Sequence, residues 1–148
     1  MKTPLLLGRL IFGGFFLYNG IHHFTERRSL ANYSGQKKVP APELAVTLSG
    51  AALIVGGASI LTGVKPKVGT ALIAGFLAGV SPVMHDFWKM EDPQRRMNEM
   101  VNFSKNMALL GSALALMAID EPWPVSVPVG QPGKLEQMRR SFRRKVAA

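Results

Sequence analysis

The sequence contains no cysteine. That excludes disulfides, thiolate metal sites and any thiol–disulfide relay carried by the chain itself. Acidic residues are scarce, nine against eighteen lysines and arginines, which gives a formal net charge of +9. Charge is also missing from whole stretches: Leu44–Val64 and Val68–Met84 carry none. Each approaches the roughly 20 apolar residues needed to cross a hydrocarbon core of about 30 Å. A soluble domain of this size would scatter charge through its helices. No nucleophile–base pair, phosphate-cradling loop or metalloprotease motif appears.

What is present alternates. Long apolar stretches are separated by short basic ones, as the positive-inside rule predicts for a membrane protein. The basic residues therefore point to membrane lipid as a partner and away from nucleic acid. The N-terminal apolar stretch Pro4–Ile21 runs into Tyr18, Asn19, His22, His23 and Phe24. A cleaved signal peptide needs small residues after its apolar core, so this stretch reads as a retained first helix.

The expected fold is all-α: a bundle of four transmembrane helices over residues 1–121, then a proline-rich linker and basic amphipathic tail over 122–148. Helix 1 is expected over Pro4–Phe24. Arg9 lies about a turn inside it and is expected to snorkel to the near headgroups, with a buried partner as the alternative. Thr25–Pro42 reads as a polar connection. Helix 2 follows over Glu43–Gly63, a tight basic turn closes at Lys67, and helix 3 runs over Val68–Trp88 with a kink at Pro82. Asp92-Pro93 reads as an N-cap followed by proline at the first helical position. Helix 4 then crosses from about Asn102 to Ile119. Pro122–Pro132 is expected to be extended. Leu135, Met138, Phe142 and Val146 recur at helical spacing among five arginines and lysines, which suits a surface helix on an anionic membrane.

Leucine gains little by leaving lipid, so membrane helices pack through small residues. Gly75-x-x-x-Gly79, Ser59-x-x-x-Gly63 with Gly56-Gly57 a turn earlier, Ala108-x-x-x-Ser112 and Gly111-x-x-x-Ala115 are the expected packing motifs, with Gly13, Gly14 and Gly20 on helix 1. With four crossings, both termini share a side with Lys65 and Lys67. That side carries ten basic residues against eight, so both termini are expected in the cytoplasm.

Helices 1 and 3 end, and helices 2 and 4 begin, at one membrane face. That face gathers Tyr18, Asn19, His22, His23, Glu43, His85, Asp86, Lys105 and Asn106. Charged residues inside a span are costly and point to function. Three readings compete. In the first, Lys105 pairs with Asp86 or Glu43 and the histidines and Trp88 are interfacial anchors. In the second, His22, His23, Glu43, His85, Asp86, Lys105 and Asn106 form a quinone-headgroup pocket, where a histidine or Lys105 hydrogen-bonds a carbonyl oxygen. The third is a metal or haem site, which adjacent histidines about 100° apart on a helix serve badly.

These residues also carry a family resemblance. Gly8-Arg9-Leu10, Asn19-Gly-Ile-His-His-Phe24, Gly56-Gly57, His85-Asp-Phe-Trp88, Asn102-Phe-Ser-Lys-Asn106 and Gly111-Ser112 resemble the DoxX family of small four-helix membrane proteins, over roughly residues 5–119. The resemblance implies a bacterial cytoplasmic-membrane protein. The family takes its name from the small subunit of a thiosulfate:quinone oxidoreductase, and relatives are tied to membrane redox and thiol homeostasis beside other subunits. It thus implies an accessory subunit of a quinone-linked assembly. A non-catalytic scaffold packed against a larger membrane complex is the alternative.

Overall fold

Proline and glycine set the ends of the helices. In the computed structural model, which describes residues 2–127, the helices are α1 (Lys2–Thr25), α2 (Arg27–Gln36), α3 (Pro42–Thr62), α4 (Pro66–Met84) and α5 (Pro93–Met117). Proline opens α3, α4 and α5, where its missing N–H has no helical partner to lose. The Asp92 carboxylate accepts from the Arg95 N–H at 2.7 Å and caps α5. Gly63 closes α3 with φ of 71°, a left-handed conformation that glycine adopts without a Cβ clash.

Two boundaries depart from the expectation. The connection after helix 1 is not irregular: α2 occupies most of it and packs on α3. Helix α4 continues through Pro82 but stops at Met84, and Phe87–Lys89 forms a separate 3-10 turn. His85 and Asp86 are thereby freed from the helix and pair with other elements.

The bundle is built by α1 on α3, α3 on α4, and α4 on α5. Its core includes Phe12, Phe16, Leu53, Ile60, Ile73 and Leu77. Large apolar side chains such as Ile11, Leu48, Val55 and Val68 point outward. A soluble monomer rarely exposes so much contiguous apolar surface. Among the described residues, three segments are long and apolar enough to cross a membrane: Thr3–Thr25, Pro42–Thr62 and Pro66–Lys89. The expected fourth crossing is not among them, because Asn102, Lys105 and Asn106 dilute the N-terminal half of α5.

Close packing uses some of the expected glycines and not others. A Cβ on Gly57 would lie 2.6 Å from the Leu17 nitrogen and 2.7 Å from the Gly13 oxygen. One on Gly20 would lie 2.7 Å from the Ile54 nitrogen. The α1–α3 seam is therefore backbone against backbone. Gly75, Gly79 and Gly111 have open space instead, so these three make no close helix contact. Gly57→Val should destabilise the bundle by at least about 1–3 kcal/mol, the usual range for overpacking. Gly111→Ala should be neutral, and thermal unfolding in detergent measures both.

Arg9 does not snorkel. Its side chain is 1% exposed, and its guanidinium is spent on main-chain carbonyls. Nε donates to Ile60 O at 3.1 Å and Nη2 to Leu61 O at 3.1 Å, both in the last turn of α3. Nη1 donates to Pro124 O. A helix C-terminus leaves carbonyls unpaired and carries partial negative charge, and an arginine fork answers both.

The stretch after α5 completes this latch. Trp123 is 2% exposed, and the Arg9 guanidinium lies 5.5 Å from its ring centroid. Glu121 accepts from the Lys67 N–H at 2.9 Å, and the Val127 N–H donates to Thr62 O at 2.8 Å. Residues 122–127 thus turn back onto the α3–α4 end rather than extending away, and Trp123 joins the core. The expected surface helix, Lys134–Val146, lies outside the described residues.

Candidate functional site

The ends of α1 and α4 and the starts of α3 and α5 meet at one face, as the alternating helix order requires. Helix α2 lies across them. Beneath it is a cleft of about 520 Å³. Phe16, Phe76, Leu77 and Leu109 form its deeper walls, and Asn19, His23, Tyr33, Ser34, His85 and Asn106 bring polar groups to it. Gly75 and Gly79 also line it. Their missing side chains leave room in the cleft, which is the use of the glycine pair that the packing did not explain.

Each cleft histidine is held through Nδ1. The His23 Nδ1 lies 2.8 Å from the Asn19 carbonyl oxygen. A carbonyl only accepts, so Nδ1 carries the proton in that bond and the neutral ring keeps Nε2 as an acceptor. The His85 Nδ1 lies 2.7 Å from a Glu99 carboxylate oxygen. Its side chain and that of Glu99 are both about four-fifths buried, at 21% and 19% exposure. A carboxylate behind an imidazole fixes the ring's orientation, again leaving Nε2 as the remaining nitrogen. Each cleft histidine thus keeps Nε2 as its unengaged ring nitrogen.

Beside the cleft, Lys37 and Asp86 form an ion pair at 2.7 Å, each side chain 15% exposed. Lys89 adds a longer contact to the same carboxylate, at 3.4 Å. This pair fastens the end of α2 to the end of α4. Burial would lower the Lys37 pKa, but the hydrogen bond and charge of Asp86 outweigh it and hold the pKa above the ordinary lysine value. The stabilisation is therefore complete below the ordinary lysine pKa and is lost as pH rises through the raised one. Burial and then the Glu99 charge push the Tyr33 phenol up as well. Lys37→Ala should release α2, measured as faster amide exchange over Arg27–Gln36 while α3 stays protected.

The expected cluster is therefore divided. His23, His85 and Asn106 line the cleft. His22 is exposed and stacks on Tyr18, with centroids 6.3 Å apart. Glu43 pairs with Arg27 at 3.2 Å in an exposed contact that contributes little. Asp86 serves Lys37, so neither acid pairs with Lys105 as expected. Lys105 and Asn106 are neighbours about 100° apart on α5. Asn106 enters the cleft, while Lys105 lines a separate groove between α1 and α5. Among the described residues, no three His, Asp or Glu side chains gather as metal ligands do.

Tyr33, Lys37 and Glu99 were not anticipated. Glu99, Asn102 and Asn106 recur at i, i+3 and i+7 along one face of α5, so Glu99 had a legible signal. Lys37 had none, because only the docking of α2 brings it in. The two motifs flanking the loop do meet: Phe87, Trp88 and Phe103 form an aromatic cluster with centroids 5.1–5.9 Å apart.

A model of the DoxX family matches residues 4–86. That is more than half of the chain. The chain belongs to the DoxX family. With its three apolar crossing-length helices, this DoxX protein is a multi-pass membrane protein. The matched region contains α1 to α4, including His23 and His85, and ends before Glu99 and Asn106. No curated protein and no solved structure matches the chain.

Proposed function

We propose that this DoxX protein is an accessory subunit of a quinone-linked redox assembly in a bacterial cytoplasmic membrane, and that its cleft receives the quinone ring. The observation that supports this most is the pairing of an apolar cavity with two histidines whose Nδ1 atoms are both engaged. Pockets for ring-shaped ligands combine apolar walls with a few placed polar groups. Bound there, a quinone supplies an acceptor for two electrons and two protons. The Nε2 atoms of His23 and His85, unprotonated while Nδ1 donates, accept hydrogen bonds from the two hydroxyls of the reduced quinol form. Glu99 keeps the His85 ring oriented through Nδ1. Helix α2 covers the polar face and limits water. The chain has no cysteine to relay electrons through thiols, so the electrons are assigned to a partner subunit.

In this reading α5 is the fourth crossing. Its polar residues are tolerated because Asn106 faces the cleft and Lys105 the groove. Both termini then lie on the cytoplasmic side, where basic residues are slightly in excess. Gentle purification from native membranes followed by native mass spectrometry tests the assignment. The expected result is a stoichiometric protein partner together with bound quinone. A partner without quinone would favour the scaffold reading. A lone chain that retains quinone would contradict the accessory role.

A further inference from the structure

Helix α5 packs on α4 and leaves α1 apart. The groove between α1 and α5 has a volume of about 820 Å³ and is separate in chemistry from the cleft. Gly8, Ala108, Ser112 and Ala115 give it a shallow floor, with Phe12 and Leu116 among the larger walls. Lys105 is the one charged residue lining it. Among the described residues, the ion pairs all belong to other cations.

An ammonium in an apolar groove of a membrane protein is costly unless it meets an anion or reaches the headgroups. Among the described residues, no helix brings an acid to that depth. Helices α1 and α4 contain none, α3 has only Glu43 in its first turn, and α5 has none beyond Glu99. A second copy seated on this groove would therefore present apolar surface or another lysine. The charge complement has to come from elsewhere. From Lys105 to Ile119 the groove follows about 20 Å of helix, longer than the roughly 15 Å of hydrocarbon in one leaflet. That shape and that single charge suit one lipid chain below one anionic headgroup.

We propose that the α1–α5 groove is an anionic phospholipid site. One acyl chain lies along the small-residue floor, and the headgroup phosphate pairs with the Lys105 ammonium, which extends toward the face where α5 begins. The site requires α5 to stand in the bilayer beside α1. It does not require the cleft to bind a quinone.

The test uses the full chain, delipidated in mild detergent and supplied with phosphatidylglycerol or phosphatidylcholine of identical acyl chains. Native mass spectrometry counts retained lipid, and thermal unfolding follows stability. The wild type is expected to retain one phosphatidylglycerol in preference to phosphatidylcholine and to melt higher with it. Lys105→Met should reduce that retention roughly fivefold, the worth of one lysine near an anionic surface, and Lys105→Arg should keep it. Equal retention of both lipids by the wild type overturns the proposal, even if Lys105→Met fails to fold. Unchanged selectivity in a folded Lys105→Met protein overturns it too, as does a dimer that excludes lipid.

Discussion

Arg9→Met should leave little protein in the membrane, or protein that unfolds at least about 3 kcal/mol more readily than the wild type. Methionine keeps the apolar stem and most of the volume, so packing loss is not the cause. What is lost is a fork of donors to Ile60, Leu61 and Pro124. Hydrogen bonds to charged groups contribute about 1.5–3 kcal/mol each, and the carbonyls left behind are buried at Ile60 and partly buried at Leu61 and Pro124. Arg9→Lys should fall between the two, because an ammonium keeps the charge but cannot span three carbonyls as a planar guanidinium does. Trp123→Phe keeps an aromatic face over Arg9 and should cost less than either. Membrane abundance and thermal unfolding in detergent measure the series. A fully stable Arg9→Met protein would remove Arg9 as the latch between α3 and the chain after α5.

His85→Phe should weaken quinol binding by about twofold to tenfold, the net worth of one neutral hydrogen bond. Phenylalanine fills the same space, so the cleft keeps its shape. Glu99→Gln should act in the same direction but less, since an amide oxygen still accepts from the His85 Nδ1, only more weakly than a carboxylate. His22→Phe is the informative control. His22 is adjacent to His23 in sequence yet points away from the cleft, so its loss should leave binding unchanged. Anaerobic equilibrium titration of the purified protein with a short-chain quinol measures all three. Equal weakening by His22→Phe and His85→Phe would mean that the face as a whole matters, not the cleft.

Helices α3 and α4 were legible because charge is excluded from Leu44–Val64 and Val68–Met84 and proline and glycine mark their ends. Asp92-Pro93 gave the start of α5 without ambiguity. The face at which the polar residues gather was legible too, since alternating helices bring those ends together. Which residues meet there was not. Sequence spacing orients a residue on its own helix but says nothing of the rotation of that helix against its neighbours. Lys105 and Asn106 show the consequence: one residue of difference sends them into separate cavities. One glycine pair misled for a related reason. Gly75 and Gly79 have the spacing of a packing motif but face open space, whereas Gly20 and Gly57, also expected to pack, form the tight seam. Arg9 shares a helical face with Phe12 and Phe16, and that i, i+3, i+7 spacing was a sign of burial that its nearness to the N-terminus concealed. Lys37 depends on a helix in what reads as a polar connection.

The most direct test of the cleft is light-activated crosslinking with an azidoquinone in native membranes, followed by peptide mapping. The account predicts label on α2 around Tyr33 and on the facing part of α4 between Gly75 and His85, suppressed by excess unlabelled quinone. Label confined to the α1–α5 groove or the outer lipid-facing surface, or label that unlabelled quinone does not suppress, would contradict it.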